Sequence, residues 1–127
     1  SKEDKVNISQ DIDILRVSKL NPYYLTIFLK SIFGNRQIWV RSKGVGAPKL
    51  PFDEIKSIRI ALLPDTVQFH IESEYKRTSI FHDKAMEAKA EGDERRYRRN
   101  IEIAETMLRE LIARTEAVIR GEREDVI

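Results

Sequence analysis

The sequence predicts an α+β fold: a small mixed strand-and-helix half followed by a long antiparallel helical pair of coiled-coil type. Three observations predict it. Before Pro64, short apolar runs that read as strands flank segments of helical period. From Pro64 onward, apolar residues recur only at steps of three and four. Glu91-Gly92-Asp93 then interrupts that pattern, which makes two helices joined by a tight turn. The division falls at Pro64, giving residues 1–63 as the mixed half and 64–127 as the helical half.

In the first half, Ile12, Ile14 and Arg16 alternate with Asp11, Asp13, Leu15 and Val17, the pattern of a short buried strand. Asn21-Pro22 opens a helix, because Asn caps free N–H groups and Pro is tolerated in the first turn. Its apolar stripe runs through Leu25, Phe28, Leu29, Ile32 and Phe33 and stops at Gly34-Asn35, with a shorter helical turn expected through Ile38, Trp39 and Val40. Lys43-Gly44-Val45-Gly46-Ala47-Pro48-Lys49 reads as a loop, since two Gly and a Pro favour backbone geometry that helices and central strands reject. One more helical turn is expected within 51–57, and Ile58 to Leu63 reads as a buried strand stopped by Pro64.

In the second half, Val67, Ile71, Tyr75, Thr78, Phe81 or His82, Ala85 and Ala88 line one helix face. Beyond Gly92, the residues Tyr97, Ile101, Ala104, Leu108, Leu111, Thr115 and Val118 form a heptad seam that Gly121 closes. Ile101, Ala104, Leu108, Leu111 and Val118 are therefore the candidate helix-packing and association residues. Ile103, Met107, Ile112 and Ile119 widen the face, so the pair is expected to meet a third element, from the first half or from another subunit.

Charge is divided unevenly. The net charge of +2 combines eleven Lys and Arg against six Asp and Glu up to residue 63 with twelve against fifteen beyond it. Lys30, Arg36, Arg41, Lys43, Lys49, Lys56 and Arg59 face only Asp53 and Glu54 between residues 30 and 59, which suits a phosphate-rich partner. With Arg41, Lys43 and Lys49 around it, the loop containing Gly44 and Gly46 can bring backbone N–H groups and ammonium groups onto a DNA phosphate. Arg36, Arg41, Lys43, Gly44, Gly46 and Lys49 are thus the candidate DNA-binding residues. The denser cluster Arg95, Arg96, Arg98 and Arg99 reads as a solvated face, since Glu91, Asp93, Glu94 and Glu102 stand at pairing distance on the same helix.

Catalytic chemistry is poorly supplied. No Cys is present and the two His, His70 and His82, are too far apart on one helix to share a metal. Asn21-Pro22-Tyr23-Tyr24 lacks the second Pro of the amino-methyltransferase Asn-Pro-Pro-Tyr signature, and no nucleotide-binding turn precedes it. The Gly-Val-Gly-Ala-Pro loop has no Lys-Ser or Lys-Thr at a helix start, so it is not a nucleotide phosphate loop. No metal and no cofactor are expected. The absence of a long apolar run or a signal-peptide core leads to the expectation of a cytoplasmic protein.

Taken together, Ile8-Ser9-Gln10-Asp11-Ile12-Asp13-Ile14-Leu15-Arg16, then Asn21-Pro22-Tyr23-Tyr24-Leu25, Phe28-Leu29-Lys30-Ser31 and Gly34 form one pattern. It continues as Leu50-Pro51-Phe52-Asp53-Glu54-Ile55-Lys56-Ser57-Ile58-Arg59-Ile60, Pro64, Asp65 and Val67-Gln68. This pattern resembles the target-recognition domains of type I restriction-modification specificity subunits, and the related C-terminal domain of adenine-specific DNA methyltransferases, over most of residues 8–75. The resemblance implies a non-catalytic module that reads a few base pairs of double-stranded DNA. It also implies a spacer helix that docks a methyltransferase or restriction subunit, a second recognition domain, or a second copy in a homodimer. The chain begins where such a domain would be well advanced, so the resemblance implies a preceding half that carries much of the base-reading surface. The family's helix is often continuous, whereas Gly92-Asp93 points to a hairpin here. The alternative is a coiled-coil protein-protein interaction module with no nucleic-acid role.

Overall fold

A computed structural model describes residues 20–41 and 58–127, with the side chains of Val40 and Arg41 excepted. Four helices make up these residues: α1 (Pro22–Lys30), α2 (Ile32–Arg41), α3 (Asp65–Ala90) and α4 (Glu94–Ile119). No strand occurs among the described residues, which corrects the expected α+β class. The strand expected around Ile12 and Ile14, the Lys43–Lys49 loop and the turn within 51–57 lie outside the described residues.

The strand expected at 58–63 is instead an extended segment. Ile58, Ile60, Ala61 and Leu63 are buried while Arg59 and Leu62 face out, so its buried positions depart from a strand's strict alternation at Ala61. Side chains rather than a ladder bond the backbone of Arg59, Ala61 and Leu63. The Gln37 amide accepts from the Arg59 N–H at 2.7 Å and donates to the Arg59 carbonyl at 2.9 Å. The buried Tyr24 hydroxyl donates to the Ala61 carbonyl, and Gln68 Nε2 donates to the Leu63 carbonyl at 2.9 Å. Burial pushes the Tyr24 hydroxyl far above its ordinary ionisation range, so it stays a neutral donor.

α1 starts as its sequence dictates. Asn21 Oδ1 accepts from the Tyr23 and Tyr24 N–H groups, and Asn21 Nδ2 donates to Glu72 at 2.7 Å, tying the cap to α3. Gln68 joins the same junction by accepting from the Asn21 N–H at 3.2 Å. The break that the sequence places at Gly34-Asn35 falls at Ser31, whose extended backbone ends α1 while its N–H still reaches Ile27 and Phe28. Gly34 lies inside α2. A Cβ there would collide with the Phe28 carbonyl oxygen and the Leu29 Cα, so the glycine permits the two helices to cross closely rather than ending a helix.

α3 and α4 form an antiparallel hairpin. Gly92, at φ +77°, accepts the left-handed backbone after α3; the Gly92 N–H bonds the Lys89 carbonyl and the Asp93 N–H bonds the Ala88 carbonyl, a Schellman closure. Asp93 then caps α4 through the Arg96 N–H at 3.1 Å, so one residue closes one helix and opens the next. Gly121 repeats the closure at the end of α4. One core joins α1, the extended segment and the base of the hairpin through Tyr24, Ile27, Phe28, Ile58, Leu63, Ile71, Leu111, Val118 and Ile119. After α4 the chain turns back to bury Val126 in this core, held by Arg114 on the Val126 carbonyl and by His70 Nδ1 on Asp125 at 2.7 Å.

Candidate nucleic-acid interface

α1 and α2 contain no Asp or Glu. Among the described residues, carboxylates reach this helix pair from the hairpin: Glu72 of α3 at the Asn21 cap, and Glu116 of α4, which accepts from the Ile32 N–H at 2.7 Å and so satisfies the first turn of α2. Lys30, Arg36 and Arg59 are exposed, and none of them forms an ion pair with any other described residue. Gln37 clamps the Arg59 backbone beside α2, so Arg36 and Arg59 stand on adjoining elements.

Several hairpin cations are arranged differently, although Arg95, Arg99 and Arg109 are also exposed without ion pairs among the described residues. Lys76 pairs with Glu72, Arg77 with Glu74, Arg96 with Glu91, and Arg98 with Glu94, each within one turn or across the hairpin bend. Lys76 and Asn21 together hold the Glu72 carboxyl below the usual carboxylate range. Lys84 and Lys89 lie over the rings of Phe81 and Tyr97 at 5.1 and 5.6 Å from their centroids.

Of the candidate DNA-binding residues, Arg36 projects from α2 into solvent and Arg41 is the last residue of that helix. Lys43, Gly44, Gly46 and Lys49 lie outside the described residues. Among the helix-packing candidates, Ala104, Leu111 and Val118 are buried, whereas Ile101 and Leu108 are half-buried. Leu111 and Val118 meet the common core, and Ala104 packs nearer the tip. Ile101 and Leu108 line a groove between the two helices with Tyr75, Ser79, His82 and Glu105. His82 is exposed there, and His70 is the partner of Asp125.

Three features escaped the sequence reading. Gln37 reads as an ordinary polar residue but acts as the clamp on Arg59. Glu116 sits two residues before Val118 on the seam, and only the tertiary fold brings it to Ile32. Trp39 belongs to the apolar turn expected through Ile38, Trp39 and Val40, yet it is 47% exposed. Its spacing from Ile32, Asn35 and Arg36 was the available signal, since positions three, four and seven apart share a helix face.

Among the described residues, no group of three or more His, Asp or Glu side chains is placed to hold a metal ion. No helix among them is long and apolar enough to cross a membrane. No protein-family model, curated protein or solved structure matches the chain.

Proposed function

We propose that this chain is a non-catalytic DNA-recognition and subunit-docking module of a restriction-modification system, with double-stranded DNA and a methyltransferase or restriction subunit as its partners in the cytoplasm. The observation that carries the reading is the carboxylate-free α1–α2 pair, with Lys30, Arg36 and Arg59 exposed and without ion pairs among the described residues. Uncompensated cations on one side of a small domain attract a polyanion, and phosphate contacts release its counterions. The resemblance to target-recognition domains supports the same reading. Gln68, part of the Val67-Gln68 pair in that pattern, ties the start of α1 to the end of the extended segment and to the first turns of α3.

The test is a titration of duplex DNA at several salt concentrations. Binding should weaken steeply with salt, and the double substitution Lys43→Ala, Lys49→Ala should flatten the log-log slope by up to about two contacts at about 0.9 each. Different DNA sequences should be affected nearly equally, because phosphate contacts position and do not specify. Absence of binding to any duplex at low salt would dismiss the reading.

The half-buried Ile101, Leu108 and Tyr75 in the groove of the hairpin favour a second reading, a helical docking element with no nucleic-acid role. Sedimentation separates the two. That reading requires an assembly that Leu108→Asp disrupts and that DNA does not influence.

A further inference from the structure

α2 places its residues against the usual rule of apolar inside and polar outside. Phe33, Gly34, Gln37 and Ile38 face the protein, whereas Ile32, Asn35, Arg36 and Trp39 are all exposed. Those four positions fall on one arc of the helix. The inward side therefore spends a position on Gln37, fixed to the Arg59 backbone, while the outward side carries the chain's one Trp at 47% exposure. Nothing in the packing of α2 requires an indole outside, and apart from the Ile32 N–H on Glu116 its fold-holding contacts among the described residues are on the opposite side.

Among the described residues, the charged side chains that α1, α2 and the extended segment present are cations, with the Glu116 carboxylate at the Ile32 end of the arc. Arg36 stands on it, Lys30 and Arg59 stand on the adjoining elements, and neither α1 nor α2 has a carboxylate. Glu116, the carboxylate that reaches α2, is engaged with the Ile32 N–H. A face of that charge fits a polyanion and disfavours a second cationic copy of itself.

We infer that the outer face of α2, with Asn35, Arg36 and Trp39, lies directly on duplex DNA. This rests on the DNA-recognition reading and assigns it a helix. Arg36 supplies five N–H donors that reach phosphate or a guanine edge, and the Asn35 amide offers the paired donor and acceptor that matches an adenine edge. Trp39 covers sugar and base surface with its ring and loses solvent exposure on binding. Side chains fixed on a short, well-anchored helix are held more firmly than side chains on a loop, which suits contacts to base edges.

Because Trp39 is the single Trp in the sequence, its emission reports on this face alone. The experiment titrates the full chain with a labelled mixed-sequence duplex, following DNA anisotropy and Trp39 emission and acrylamide quenching together. The expected result is that Trp39 becomes protected from acrylamide in step with the anisotropy. Arg36→Ala should lower the salt slope by about 0.9 for one lost phosphate contact. Asn35→Ala should weaken binding by at least about fivefold with the slope unchanged, as a lost base contact does. All three residues are exposed, so circular dichroism of the variants should match the parent. If the duplex binds but Trp39 emission and quenching stay constant and both variants bind like the parent, the assignment of α2 is wrong while DNA recognition stands. If no duplex binds, both are wrong. A Trp39 response to protein concentration without DNA makes the face a contact between copies and overturns the inference.

Discussion

The base and the tip of the hairpin are built from the same two helices by different means. At the base, large side chains interlock across four segments: Phe28 and Tyr24 of α1, Ile58 and Leu63 of the extended segment, Ile71 of α3, and Leu111 and Ile119 of α4. Toward the tip the buried residues are Thr78, Ala85, Ala88, Asn100 and Ala104, contributed by α3 and α4 alone. Small residues let the two backbones approach but remove little apolar area from water, at roughly 25 cal/mol per Å². The base therefore carries most of the folding free energy and holds α1 and α2 in position. The tip is a two-helix arm closed by the Gly92 turn. Lys30, Arg36 and Arg59 beside the base form no ion pair among the described residues, whereas Lys76, Arg77, Arg96, Arg98, Arg114 and Arg120 of the hairpin pair with Glu.

Substitutions on the two sides should differ accordingly. Phe28→Ala empties a site that is 2% exposed between α1 and the hairpin base, and should cost roughly 3–5 kcal/mol in urea denaturation. Ala88→Gly at the tip should cost only about 2 kcal/mol, the helix-propensity difference plus one buried methyl. Equal costs would break the comparison. Gly92→Ala forces a side chain onto a backbone at φ +77° with open space around it, so its cost should be about 1–2 kcal/mol of backbone strain and no packing loss. Hydrogen exchange should show faster opening near the bend with the amides of α1 unaffected; acceleration throughout the molecule would mean that tip and base open as one unit.

The smallest effect concerns the junction of α1 with α3. Glu72 titrates below its ordinary range because it accepts from Lys76 and Asn21, so its contribution is present above the unfolded-state value and is lost as pH falls through the lowered one. Glu72→Gln should lower the melting temperature slightly at neutral pH, and the difference from the parent should vanish in acid. A difference that persists below both values would assign the contribution to shape rather than charge.

The hairpin was legible in the sequence because its signals are local. The apolar residues from Val67 to Ala88 and from Tyr97 to Val118 repeat at helical spacing, and Gly92 and Gly121 occur where a left-handed residue must follow a helix. The cap at Asn21-Pro22 was legible for the same reason. Residues 58–63 were misread because a short apolar run before a Pro reports a buried extended backbone, not a neighbouring strand, and here the backbone partners of Arg59, Ala61 and Leu63 are Gln37, Tyr24 and Gln68. Gly34 was misread as a stop because nothing local distinguishes a glycine that ends a helix from one that admits a crossing backbone. The outward face of α2 was hidden by composition, since Trp39 and Ile32 count as core residues in any apolar pattern.

The most direct test of the central claim sets the two groups of cations against each other in DNA binding. One variant replaces Lys30, Arg36 and Arg59 at the base with Ala, and the other replaces Arg96 and Arg98, the paired cations at the tip. The account predicts that the base variant loses affinity and flattens the salt slope by up to about 2.7, three contacts at 0.9 each, while the tip variant binds like the parent. A tip variant that loses affinity and slope while the base variant binds normally would contradict it.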